Sequence, residues 1–157
     1  MPAELSRELL VEVLSQTLEE AAFVFAEAAA VEPDLTGSVI EARLAFSGPQ
    51  EGELLLACSE DLAGTLAANL LGEDEGGASV VGDDEDALGE MLNMMAGSLV
   101  VSLFGHEVPC RLGLPRVRTV SGVEHESNLA AADAAARLLD EEGRRIDLCA
   151  RLAGGRA

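Results

Sequence analysis

The segment Asp84–Phe104 restricts the fold of this chain more than any other part of it. On a helical wheel at ~100° per residue with Asp86 at zero, Leu88, Met91, Leu92, Met95, Leu99 and Leu103 fall within roughly 140–260°. That is the apolar stripe of a long core helix, and Gly105 ends it. The helix needs a broad apolar surface to lie on. Asp86, Glu90, Asn93 and Gly97 fall on the opposite side, within about 40° of one line. Glu90 and Asn93 stand at i and i+3, so their heads can reach one partner together. Glycine inside a helix costs roughly 1 kcal/mol against alanine, and it is better tolerated where another backbone comes close. Asp86 and Gly97 are therefore candidate partner contacts. By spacing alone, an ordinary solvated face would look much the same.

The rest of the chain supplies the partner surface. Residues 4 to about 30 repeat apolar positions at helical spacing (Leu10, Leu14, Leu18, Phe25), with Pro33 as a limit beyond them. In Gly37–Glu60 two strands are expected. Val39, Glu41, Arg43 and Ala45 alternate with Ile40, Ala42, Leu44 and Phe46, residues 47–52 are turn formers, and Glu53–Cys58 makes the second strand. Ser59 suits the N-cap of a helix from Asp61 to Leu71, closed by Gly72. Glu107–Arg111 and Arg116–Ser121 are strand-like. Propensity favours helix for the Ala-rich Leu129–Leu139. However, Asp140-Glu141-Glu142-Gly143 is a hairpin turn and Ile146, Leu148, Ala150 and Leu152 alternate beyond it, so strand is expected through 127–140 as well. Segregated helices and hairpins point to an α+β two-layer fold, long helices on one face of a mostly antiparallel sheet, in one domain spanning 1–157.

Charge narrows the partners. With 10 Lys+Arg against 29 Asp+Glu the net charge is −19, which repels phosphate backbones and anionic lipid surfaces. Neither nucleic acid nor membrane is expected as a partner. No apolar run approaching the ~20 residues of a span is expected, and no secretory signal is visible in Met1–Glu4. The expected location is the cytoplasm. Cys58, Cys110 and Cys149 stand far apart in apolar settings, as buried small hydrophobes do, and His106 and His125 are the only histidines. Glu73–Asp86 packs seven carboxylates into 14 residues, but Gly76–Val81 breaks the ligand order a calcium loop requires. It is expected to be a solvated loop, and no metal site is expected.

Leu88-Gly89-Glu90-Met91-Leu92-Asn93-Met94-Met95-Ala96-Gly97 resembles the signature helix of the CheC/CheX/FliY phosphatases of bacterial chemotaxis, CheX above all. Gly52–Glu60 followed by Leu70-Leu71-Gly72 is similar to the family's strand and helix before the acidic loop, and Pro115–Gly122 to its segment after the signature helix. The resemblance covers most of residues 37–122 in order. CheC carries the signature on two helices. Residues 5–30 here lack a matching Glu and Asn pair, which favours the single-site CheX type.

The resemblance implies a phosphatase that accelerates hydrolysis of the aspartyl phosphate on a CheY-like response regulator. It implies Asn93 and Glu90 as catalytic residues: Asn93 positions the attacking water, and Glu90 pairs with a lysine beside the regulator's phosphorylation site. No cofactor of the chain's own is implied, magnesium belonging to the regulator, and a homodimer through the sheet is expected. The acidic run 73–86 is expected to help select the regulator by excluding others. The alternatives are a non-catalytic docking module on a regulator or signalling complex, and, less well supported, a flagellar-switch component resembling FliY.

Overall fold

The computed structural model describes residues 4–28, 35, 37–71 and 83–153. Among them the order is α1 (Arg7–Ala22), β1 (Ala26–Glu27), β2 (Ser38–Ser47), β3 (Gly52–Ser59), α2 (Glu60–Leu71), α3 (Asp83–Phe104), β4 (Arg111–Leu112), β5 (Arg116–Ser121), α4 (Gly122–Ala130), β6 (Ala134–Asp140) and β7 (Arg145–Leu152). The strands form one sheet in the order β1-β6-β7-β3-β2-β4, with β5 also on β2, and every pairing is antiparallel. This is the expected α+β arrangement. Pro33, Gly72 and most of the acidic run 73–86 lie outside the described residues.

The pleat explains how one sheet serves two layers of packing. Ile40, Ala42, Leu44 and Phe46 of β2, with Leu54, Leu56 and Cys58 of β3, meet Leu10, Leu14, Leu18, Leu88, Met91, Leu92, Met95 and Leu99 in the main core. Successive residues point the other way. Val39, Leu55, Ala57, Val120 and Cys149 form a smaller cluster closed by Leu129 of α4. The long helices therefore lie on one face and short α4 on the other. Leu54–Cys58 is buried throughout, the pattern of a strand covered on both faces.

Several expected boundaries change. The first helix stops at Ala22 instead of running to about residue 30. Phe23 takes the left-handed conformation (φ 55°) and donates its N–H to the Glu19 carbonyl, a termination usually made with glycine. The chain turns there, burying Val24 and leaving Phe25, expected in the core stripe, 51% exposed. Of Glu107–Arg111, only Arg111 is in a strand, paired with Ser47. Residues 127–130 end a helix that was not expected at all. Its start was nevertheless written in the sequence: Ser121 accepts from the Glu124 N–H at 3.1 Å, a serine followed three residues later by a glutamate. The Ala-rich stretch is strand from Ala134 on. There Asp140 Oδ1 accepts the N–H groups of Glu142 and Arg144 and Gly143 turns with φ 78°. That turn holds β6 against β7, and pairing along a whole strand outweighs a weak helical preference.

Helix α4 is pinned to the sheet by charge as well as by Leu129. Glu41 of β2, Ala57 of β3 and Asp147 of β7 stand side by side across the sheet, and the small Ala57 leaves room for the His125 ring. His125 Nδ1 meets Glu41 Oε2 and Nε2 meets Asp147 Oδ2, each at 2.7 Å, with all three side chains wholly buried. Arg145 donates to both oxygens of Asp147 and to Glu126, and Asn128 donates to Glu41.

Contrary to the expectation from hydropathy, α3 is long and apolar enough to cross a membrane. Half of that stretch is buried inside the fold, where α3 packs on β2, α1 and α2.

Candidate functional site

Helix α3 is oriented by what it buries. Leu88, Met91, Leu92, Met95 and Leu99 are wholly inaccessible, and Leu103 is half-buried. The wheel's other side consequently faces outward: Asp86, Glu90 and Asn93 are exposed and Gly97 half-exposed. The structure thus brings the four predicted residues onto one open face. Among the described residues none supplies Glu90 or Asn93 with a hydrogen-bond or ion-pair partner. An exposed carboxylate and amide one turn apart have Cβ atoms ~5–6 Å from each other. Their heads can engage a single incoming group, the carboxylate accepting from a cation and the amide both donating and accepting.

The two glycines of this helix differ. A Cβ on Gly89 would come within 3.3 Å of the Pro115 ring and 3.8 Å of Val117, so Gly89 lets α3 sit close against Pro115 and β5. A Cβ on Gly97 would meet nothing within 4 Å. Packing inside the chain gives no reason for glycine there.

Between Met94 and Ser98 on α3 and Gln16, Thr17, Glu20 and Ala21 on α1 runs a shallow groove of about 250 Å³. A larger cleft of about 930 Å³ lies at the end of the sheet, between Phe46, Arg111, Asp133 and Arg151, and includes no residue of α3. Neither cavity is lined by Glu90 or Asn93, and small-molecule sites are concave; an exposed face of this kind suits a macromolecule.

The remaining candidates are structural. Cys58 and Cys149 are buried, but Cys110 is only half-buried. Burial raises the thiol pKa of Cys58, and that of Cys149 to about 12, with Asp147 adding to both. Neither is a nucleophile at neutral pH. His106 is exposed. Both ring nitrogens of His125 are already committed to carboxylates, and among the described residues no three His, Cys, Asp or Glu side chains are grouped to hold a metal. The Glu41–His125–Asp147 cluster was not legible in the sequence, because its members lie 84 and 22 residues apart and no short motif joins them.

Residues 40–137 match the family described as Chemotaxis phosphatase CheX. The chain belongs to the CheX chemotaxis phosphatase family. That span includes α3 and all four residues of its open face. Solved CheX structures share the fold. The chemotaxis protein CheX from Desulfovibrio desulfuricans is 17% identical with a TM-score of 0.67, the alignment covering 92% of this chain and 97% of that one. CheX in the CheX-CheY-BeF3-Mg2+ complex from Borrelia burgdorferi is 14% identical, TM-score 0.63, covering 92% and 96%. CheX from Vibrio vulnificus is 17% identical, TM-score 0.61, covering 92% and 95%. No curated protein sequence matches the chain.

Proposed function

We propose that this protein accelerates hydrolysis of the aspartyl phosphate on a CheY-like response regulator. The observation that supports it most is the open face of α3, where Glu90 and Asn93 project one turn apart without internal partners. Membership of the CheX family and the Borrelia relative's complex with CheY are consistent with it. An acyl phosphate is already activated, so the missing element is a water held in line with the bond to be broken. The Asn93 carbonyl oxygen would accept a hydrogen bond from that water while its NH2 donates to a phosphoryl oxygen. Water oxygen bonds to phosphorus, the P–O bond to the regulator's aspartate breaks, and phosphate and a carboxylate leave. Glu90 would pair with a regulator lysine and set the register of α3 over the phosphate. Magnesium, where the reaction uses it, would be held by the regulator's own acidic residues. The reaction belongs where response regulators work, in the cytoplasm. The test is the decay of phosphate on a CheY-like protein of the same genome, with and without this chain. Unchanged decay with binding retained would make the domain a docking module.

Gly97 enters this reading as the point of closest approach. Gly97→Ala should stabilise the isolated protein by up to about 1 kcal/mol, since alanine is the better helix former and its methyl meets nothing within 4 Å. It should weaken regulator binding several-fold. A raised thermal midpoint together with a raised KM is the expected pair; an unchanged KM would remove Gly97 from the interface.

Dimerisation has a ready edge. β6 pairs with β7 from Ala134 to Leu139, but among the described residues β1 covers its outer side only at Leu139 and Asp140, leaving a short edge with a single charged residue, Arg137, for a second copy. β7, between β3 and β6, is interior and is not available for this. Sedimentation should give about twice the 16.3 kDa chain mass; a monomer at tens of micromolar would count against the dimer.

A further inference from the structure

We infer that Leu114 is an apolar anchor for the phosphorylated regulator, set beside the open face of α3 by the packing of Pro115 on Gly89. The inference rests on the function proposed above and names a contact within it. Leu114 is 86% exposed, more than any other large apolar residue described. A single exposed leucine is ordinary in a folded protein, and it is the position of this one that carries the argument. On one side, Gly113 donates its N–H to the Ala45 carbonyl at 2.7 Å, and a Cβ on Gly113 would stand 3.3 Å from the same oxygen. On the other side, Pro115 lies so close to α3 that a Cβ on Gly89 would be 3.3 Å from its ring. The residue before a proline is itself confined to extended conformations, and Arg116 then pairs with Arg43 in the sheet. Leu114 is thus presented to solvent by a backbone fastened on both sides. Gly89 stands one turn from Asp86 (i−3) and Asn93 (i+4) on the helix surface, so segment 113–115 borders the open face on that side.

The surface defines its occupant by chemistry. Asp86 and Glu90 are exposed carboxylates with no cation paired to them among the described residues, and Leu114 adds an apolar contact alongside. A protein surface with a lysine next to an apolar rim complements both. A nucleic acid or an anionic lipid surface, facing a chain of net charge −19, does not.

The test compares Leu114→Ser with Val123→Ser, a residue 82% exposed on α4, across the sheet from α3. Phosphate decay on a CheY-like regulator of the same genome is measured over a range of regulator concentrations. Leu114→Ser should raise KM roughly tenfold, the loss of one well-buried apolar contact, with kcat and the thermal midpoint unchanged. Val123→Ser should change none of these. Equal KM for Leu114→Ser and the natural sequence overturns the anchor while the phosphatase reading stands. A loss confined to kcat overturns it as well, because an anchor acts on binding. If the natural sequence neither speeds decay nor binds a regulator loaded with BeF3 and Mg2+, the functional reading itself has failed and the anchor fails with it.

Discussion

Asn93→Ala should return phosphate decay to the regulator's own rate while leaving the protein folded and able to bind. Asn93 is exposed on α3 and lies outside the buried core, so truncation to the best helix former costs little stability. What it removes is the group that orients water. An orientation effect can be worth orders of magnitude in rate, and nothing else on this face can both donate and accept. Asn93→Asp should fail too, because it trades the NH2 donor for a negative charge against a negatively charged phosphoryl group. Glu90→Gln should behave differently. It keeps the shape but loses one ion pair to the regulator, expected to raise KM roughly tenfold with a smaller effect on kcat. The measurement is decay of labelled regulator against regulator concentration for each variant, with binding followed separately. Residual acceleration by Asn93→Ala close to that of the natural sequence would remove the amide from the mechanism.

His125→Leu should cost about 3–5 kcal/mol of stability, the usual cost of stripping one member from a buried charge cluster. Glu41 and Asp147 would be left facing each other across Ala57, with Arg145 still on Asp147 but only Asn128 and the distal guanidinium groups of Arg43 and Arg118 near Glu41. A pH dependence accompanies this. Burial alone would lower the His125 pKa, but the hydrogen bonds and charges of Asp147 and Glu41 outweigh it and raise the value to about 9. A group whose folded pKa is raised stabilises fully below its unfolded value, ~6.5, and that contribution is lost as pH climbs through about 9. For Glu41, burial pushes upward, but His125, Asn128 and Arg43 together lower the pKa; its contribution is present above the ordinary glutamate range and is lost on acidification. Urea unfolding at pH 6 should show the reduced midpoint with an unchanged slope. Between pH 6.5 and 9 the natural sequence should lose stability that His125→Leu never had. Since α4 lies across the sheet from the open face of α3, folded His125→Leu should still speed regulator decay. A variant as stable as the natural chain would mean that the imidazole is not the pin.

Residues close in sequence were legible, and residues brought together from afar were not. The α3 wheel placed five core residues and four outward residues correctly, because a helix of fixed period leaves no freedom once one face is apolar. β2, β3 and α2 followed from alternation, turn formers and the Ser59 cap, which accepts from the Leu62 N–H. The errors fall where local signals were weak or in conflict. A phenylalanine, not a glycine, ended α1. α4 was missed, its last residues 127–130 being assigned to strand, although its serine and glutamate were in place.

By itself the sequence determined that one long helix would bury Leu88, Met91, Leu92, Met95 and Leu99 and turn Glu90 and Asn93 outward, since that depends only on helical geometry and the cost of exposing apolar area. It also determined the resemblance that the CheX family match bears out. The tertiary structure alone decided the setting of that face. It brought Pro115 onto Gly89, held Leu114 at the border of the open face, left Gly97 with open space above it, and closed a buried histidine between carboxylates from β2 and β7. Those arrangements join residues of separate elements, and contacts of that range arise only when the sheet sets its register.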